Sequence, residues 1–225
     1  VLSLAAHGNG PRKIVLHDHE PLDYDVLLSG VRDAHDAGRG VALHAVTAAA
    51  LAMAVAALTE AGSHPGDRVE HAAVCDDVMA TRLAELGVVV VTQPTIYARR
   101  HEQFRAESED HERGLLWRYG GLLRAGVRVA VSSDAPYGDP DPAATIRAAT
   151  TREASECVSP ETVLAALLTP LEDPAGAPRT VGVGAPADLC VLQQPLDIAL
   201  AGAMAGVGLP VRATFVAGRL SYAAS

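Results

Sequence analysis

Short apolar runs alternate with helix-length segments along most of this chain, and that alternation limits the folds open to it more than any other feature. Residues 13–16, 41–44, 68–71, 88–92 and 127–131 each have strand length and strand composition. Between them, residues 24–37, 48–61, 76–86 and 115–124 read as helices, and Gly38, Gly62, Gly87 and Gly126 follow their ends. Two more helices are expected, one opened by Asp139-Pro140-Asp141-Pro142 and running through Arg152, the other through Leu168. The second has Ser159 as N-cap and Pro160 in its first turn. Strands and helices in this order build a parallel sheet with right-handed crossovers, either open or closed into a barrel. A closed (β/α)8 barrel takes about eight units in about 250 residues, and only five are legible here. The expected fold is therefore α/β, a partial TIM barrel covering about strands 4 to 8. A chain starting at Val1 rather than Met is expected to be the later part of something longer. In such a part the Lys13 strand forms an unpaired edge, and dimers or aggregates are expected.

Two regions break the pattern. Residues 95–113 are charged and irregular, and read as a long loop over the carboxyl end of the sheet, with room for a helical turn. Around Pro170 the helices give way to a joint rich in proline and glycine, and only short strands are expected beyond it, at 188–192, 211–216 and 220–222. The expected division is residues 1–170 as barrel and 171–225 as a small β segment of a sandwich.

One residue from each of four strand regions stands out: Lys13, His44, His71 and Asp134. The carboxyl ends of strands are where α/β folds collect ligands and catalytic groups. Taken singly, Asp134 reads equally as the cap of the turn before Pro136, and each histidine as a structural residue. Together they resemble a metal site, because neutral imidazoles and a carboxylate suit zinc. An ammonium has no lone pair to offer. A lysine joins such a set only when CO₂ converts its amine to a carbamate, whose two oxygens bridge two ions. Arginine stays protonated and forms no such bridge. Lys13 is the sole lysine among 18 basic residues, although it opens its apolar run rather than closing it. Strand alternation places Lys13, Val15, His17 and His19 on one face.

The bulk properties narrow the classes. A formal charge of −9 argues against a nucleic-acid or anionic-membrane surface. With 49% hydrophobic residues the chain can bury a substantial core. No run is long enough to span a bilayer, and the three separated cysteines read as reduced thiols of a cytoplasmic protein.

Several segments carry a family resemblance in order: Arg12-Lys13-Ile14-Val15-Leu16, Gly40-Val41-Ala42-Leu43-His44-Ala45-Val46, Asp67-Arg68-Val69-Glu70-His71-Ala72 and Thr92-Gln93-Pro94. Val131 to Pro136, Asp141-Pro142 and Gly184-Ala185-Pro186-Ala187-Asp188-Leu189 continue it, and residues 211–218 resemble a closing sandwich strand. The sequence resembles the amidohydrolase superfamily of metal-dependent hydrolases, specifically the branch similar to N-substituted formamide deformylases. The resemblance implies that Lys13 is the carboxylated, bridging lysine of barrel strand four. His44 and His71 are then the histidines of strands five and six. Asp134 is the aspartate of strand eight, both metal ligand and proton shuttle. It further implies a divalent metal, zinc, as one or two ions, and a metal-activated water cleaving a non-peptide C–N bond of a small molecule. Gln93 and His17 are expected to meet the substrate. The superfamily's first-strand H-x-H pair has no counterpart in the expected place. His17-Asp18-His19 has the letters but lies one helix before the His44 strand. A non-catalytic half-barrel scaffold, and a barrel hydrolase acting on esters, lactones or phosphoesters, remain as alternatives, with homo-oligomer formation left open.

Overall fold

The computed structural model describes residues 2–4, 10–16 and 23–224. His17 and His19 lie outside the described residues. Five parallel strands, β2 (Arg12–Val15), β3 (Val41–Ala45), β4 (Arg68–His71), β5 (Val89–Thr92) and β6 (Arg128–Val131), pair in chain order. A sixth strand, β1 (Leu2–Leu4), runs antiparallel beside β2, with Leu4 opposite Lys13. The Lys13 strand is therefore not an unpaired edge, since β1 takes up its free side.

Helices α1 (Tyr24–Asp36), α2 (Ala48–Ala61) and α3 (Asp77–Leu86) follow β2, β3 and β4 in turn. Each is started by a side chain that accepts an otherwise orphaned backbone N–H: Asp23 from Val26, Thr47 from Ala50 and Asp76 from Met79. Further along, α6 (Pro142–Thr150) and α7 (Pro160–Leu167) are capped by Asp141 and Ser159, each with proline in its first turn. One apolar cluster joins all five helices to a single face of the sheet, through Ile14, Leu43, Val69, Val90 and Val129. Helices on one face only, over strands that pair in chain order, is barrel topology; a doubly wound sheet has helices on both faces. The opposite face carries Lys13, His44, Glu70, Val91 and Ala130 at alternating positions. There Val89, Val91 and Ala130 form a small cluster with Ala175, and Arg128 pairs with Asp173 at 2.6 Å.

At the amino ends of the strands the buried Asp67 carboxylate accepts from Val41 N at 2.8 Å and from His64 N at 2.7 Å. It also meets His35 Nε2 at 3.0 Å, while its own carbonyl accepts from Val89 N. One residue thus ties β3, β5 and the end of α1.

Three elements differ from expectation. Residues 95–113 are not an irregular loop: α4 (Pro94–Glu107) occupies most of the span. Only its first turn, Pro94 to Tyr97, is buried, so the exposed remainder shows no apolar stripe by which to recognise it. The expected helix at 115–124 shrinks to α5 (Tyr119–Arg124), because Leu116 forms a β-bridge with Val74 and Trp117 adopts a left-handed φ of 47°. Beyond Pro170, β7 (Leu189–Leu192), β8 (Val211–Val216) and β9 (Arg219–Ala223) form a separate antiparallel sheet, but α8 (Leu196–Met204) stands between β7 and β8. Buried Ala199, Leu200 and Ala203 give α8 a face against α6. Among the described residues no helix is long and apolar enough to cross a membrane.

Candidate metal centre

β3 and β4 deliver the two histidines. His44 stands opposite Glu70 in the register, and Ala45 opposite His71, so the histidines are one step apart on neighbouring strands. Ideal alternation would send them to opposite faces. His71 escapes it because it ends β4 with φ 73°, in the left-handed region, and Ala72 follows at 46°. That turn swings the imidazole toward β3, and His71 Nε2 comes to 2.9 Å from His44 Nδ1 with the rings 77° apart. A non-glycine residue in this conformation is strained by about 1–3 kcal/mol and is found preferentially at functional sites.

Asp134, three residues past β6, has φ 48°, the same left-handed backbone. Its carbonyl accepts from Tyr137 N at 3.0 Å, closing a tight turn. The turn is held against α4: Asp139 N donates to Thr95 Oγ1 at 3.1 Å, and a Cβ on Gly138 would collide with Ser133 O and Thr95 Oγ1. Glycine is required at 138 by that close approach.

His44, His71 and Asp134 line one cavity of about 360 Å³ at the carboxyl ends of the strands. The rest of its lining includes apolar and aromatic Ile96, Phe104, Trp117 and Tyr137, beside the charged Arg100, Glu107 and Glu112. Phe104 stacks on Trp117 at 4.5 Å. Arg152 fixes this wall from behind: its guanidinium lies 3.7 Å from the centre of the Tyr97 ring and donates to Trp117 O and Leu116 O. A hydrogen bond from Arg152 also holds the Glu153 carboxyl below its usual range.

The other expected site residues lie elsewhere. Lys13 is exposed and absent from the cavity wall. It shares the face of His44, but Val15 is the residue that pairs with His44, which leaves Lys13 two positions, about 6.6 Å, toward the amino ends. Gln93, expected to meet substrate, is 1% exposed and sits behind the wall. It binds His71 Nδ1 through Oε1 at 2.8 Å, and its Nε2 reaches Val91 O at 3.0 Å and Ser132 Oγ at 3.1 Å. The wall residues Phe104 and Trp117, and Arg152 behind them, were not singled out in the sequence. Nothing in the spacing of these residues marks them.

Among the described residues no three His, Cys, Asp or Glu side chains stand together as a metal-binding group. The two converging imidazole nitrogens do fit half of such a site, since both are donors that zinc accepts and both face the same cavity.

One-sided helices over strands paired in chain order, with two histidines converging at the strand ends, define the class, an α/β protein with the topology of part of a barrel. The chain belongs to the Amidohydrolase family, whose sequence profile matches residues 4–222. It is 33% identical over 89 residues to an N-substituted formamide deformylase of Arthrobacter pascens, covering 38% of this chain and 16% of that one. Among solved structures it is similar to an uncharacterized metal-dependent hydrolase of Pyrococcus furiosus. That match has 26% identity, 64% of this chain, 31% of the other and a TM-score of 0.57. It also shares the fold of an adenosine deaminase from Xanthomonas campestris with bound zinc, at 19% identity and TM-score 0.62, over 90% of this chain and 49% of that one. The chain thus spans at most about half the length of these relatives.

Proposed function

We propose that this chain supplies the later strands and four of the metal ligands of a hydrolase that cleaves a non-peptide C–N bond of a small amide. Residues 1–170 form its barrel part, and 171–225 its share of a β-sandwich. The observation that carries the reading is the 2.9 Å approach of His71 Nε2 to His44 Nδ1, on a cavity wall shared with Asp134. His44 and His71, with Asp134 and a carboxylated Lys13, would hold one or two divalent ions, zinc by the chemistry of the set. Such an ion would polarise a carbonyl and lower the pKa of a bound water to about 7.

The protein's own groups do the rest. Asp134, fixed by its turn, accepts a proton from the attacking water and returns it to the leaving nitrogen, so that an amine rather than an amide anion departs. Ile96, Phe104 and Trp117 in the lining offer an apolar seat for the nitrogen substituent. A cavity of about 360 Å³ suits a small organic amide.

The test is metal content and turnover on a panel of N-substituted formamides, for the wild type and Lys13→Arg. Loss of bound metal in the arginine variant, with the fold kept, supports the bridging carbamate. Wild-type stoichiometry in that variant sinks it.

A further inference from the structure

Gln93 has hydrogen bonds of only one possible polarity. Val91 O is a backbone carbonyl and can only accept, so the Gln93 atom 3.0 Å from it must be the amide nitrogen. The second N–H of that nitrogen points to Ser132 Oγ at 3.1 Å. The amide oxygen is thereby committed to His71, 2.8 Å from Nδ1. An amide oxygen cannot donate, so His71 Nδ1 carries the proton. In the neutral ring the other nitrogen, Nε2, is then a bare lone pair, and it is the one facing His44. Gln93 and His71 are 1% and 7% exposed, so water does not compete for these bonds.

We propose that Gln93 is a positioning residue that holds the His71 proton on Nδ1 and so presents Nε2 as a ready metal ligand. The inference rests on the metal-site reading above for its purpose, but not for its geometry. The apolar strand β5 ends in a buried amide because one must stand behind His71; a hydrocarbon there would leave the Nδ1 position without an acceptor and both tautomers open. With Nε2 bare, His44 Nδ1 carries the proton of their 2.9 Å contact, so His71 needs no tautomer change when metal arrives and only the His44 proton must move to its other nitrogen. Partners of this kind behind metal-ligating histidines typically change metal affinity about 10–100-fold when removed.

The experiment uses the 225-residue chain free of metal, held above the imidazole titration range. Long-range nitrogen–proton NMR correlations of the His71 ring report which nitrogen bears the proton. Wild type is expected to show Nδ1–H. Gln93→Glu, which keeps an acceptor at the same place, is expected to keep that tautomer, and Gln93→Met to lose it in favour of an Nε2–H population. Zinc titrations against a competing chelator are then expected to show a loss of about 10–100-fold for Gln93→Met and near-native affinity for Gln93→Glu. Nε2–H in the wild type overturns the proposal, as does a Gln93→Met variant with native tautomer and affinity. If Gln93→Met fails to fold, the wild-type tautomer and its retention in Gln93→Glu decide. Should wild type bind no zinc, the proposed function falls, while the tautomer spectra still decide the role of Gln93.

Discussion

Asp67 sits at the end of the sheet opposite the candidate site, and its loss should be felt through the whole α/β layer. Its carboxylate serves two backbone N–H groups, at 2.8 and 2.7 Å, and one imidazole nitrogen at 3.0 Å, from a nearly inaccessible position. Val41 is fully buried, so its N–H has no water to turn to after Asp67→Ala. Hydrogen bonds to a charged group contribute about 1.5–3 kcal/mol each, and an abandoned buried donor costs a similar amount. Two such donors give an expected destabilisation of about 3–5 kcal/mol for Asp67→Ala, a large share of the about 5–15 kcal/mol that domains typically possess. Asp67→Asn keeps one oxygen for Val41 N–H or His35 but turns an NH₂ toward a donor, so about half that loss is expected. Equilibrium urea unfolding followed by far-ultraviolet circular dichroism measures both. An alanine variant within about 1 kcal/mol of wild type, or an asparagine variant worse than alanine, would refute the reasoning.

Asp134→Asn should retain the turn, since Asn tolerates left-handed backbone as well as Asp, yet lower turnover by at least about 10²–10⁴-fold for want of a proton acceptor; steady-state rates beside a metal assay decide it, and near-normal turnover would remove Asp134 from the chemistry. Gly138→Ala should push the Asp134 turn off α4, lowering both the melting temperature and activity, and a silent substitution would mean that the turn is not held by that contact. Cys157 and Cys190 are exposed and Cys75 is buried, so a thiol reagent should titrate two of the three thiols in the native protein and the third only on unfolding. Burial raises both the Cys75 thiol and the Tyr119 hydroxyl to about 12. The native state therefore favours their neutral forms: stability from this source is complete below the unfolded values of about 8.5 and 10 and declines as pH rises from there toward 12. Denaturant melts across that range should show an alkaline loss that is weaker in Cys75→Ala.

The strands and most helices were legible because each declares itself locally, by an apolar run, a capping side chain or a terminal glycine. α4 was not, since burial of a single turn leaves no periodic trace in the remaining residues. His44 and His71 could be picked out as strand-end histidines, but not their contact. That depends on a left-handed backbone at His71, which composition does not encode. Gln93 stands in the sequence as a candidate substrate contact, and its burial against His71 is not legible there, because the choice between facing the cavity and backing the histidine is made by the direction of one side chain. The H-x-H letters at His17 and His19 fall outside the described residues.

The strands of the larger sheet stand in the order in which the chain delivers them, β1 through β6. From β2 to β5 each strand therefore finds its partner already delivered, one helix behind it. Growth of this kind keeps loop closure short and leaves each advancing edge to be covered by the next strand made, which limits the time available for wrong pairing. The β7–β8–β9 sheet is as local in its pairing and can assemble independently. The docking of α8 on α6 and α7 joins the two histories, so it is the step at which a slow chain would show its delay.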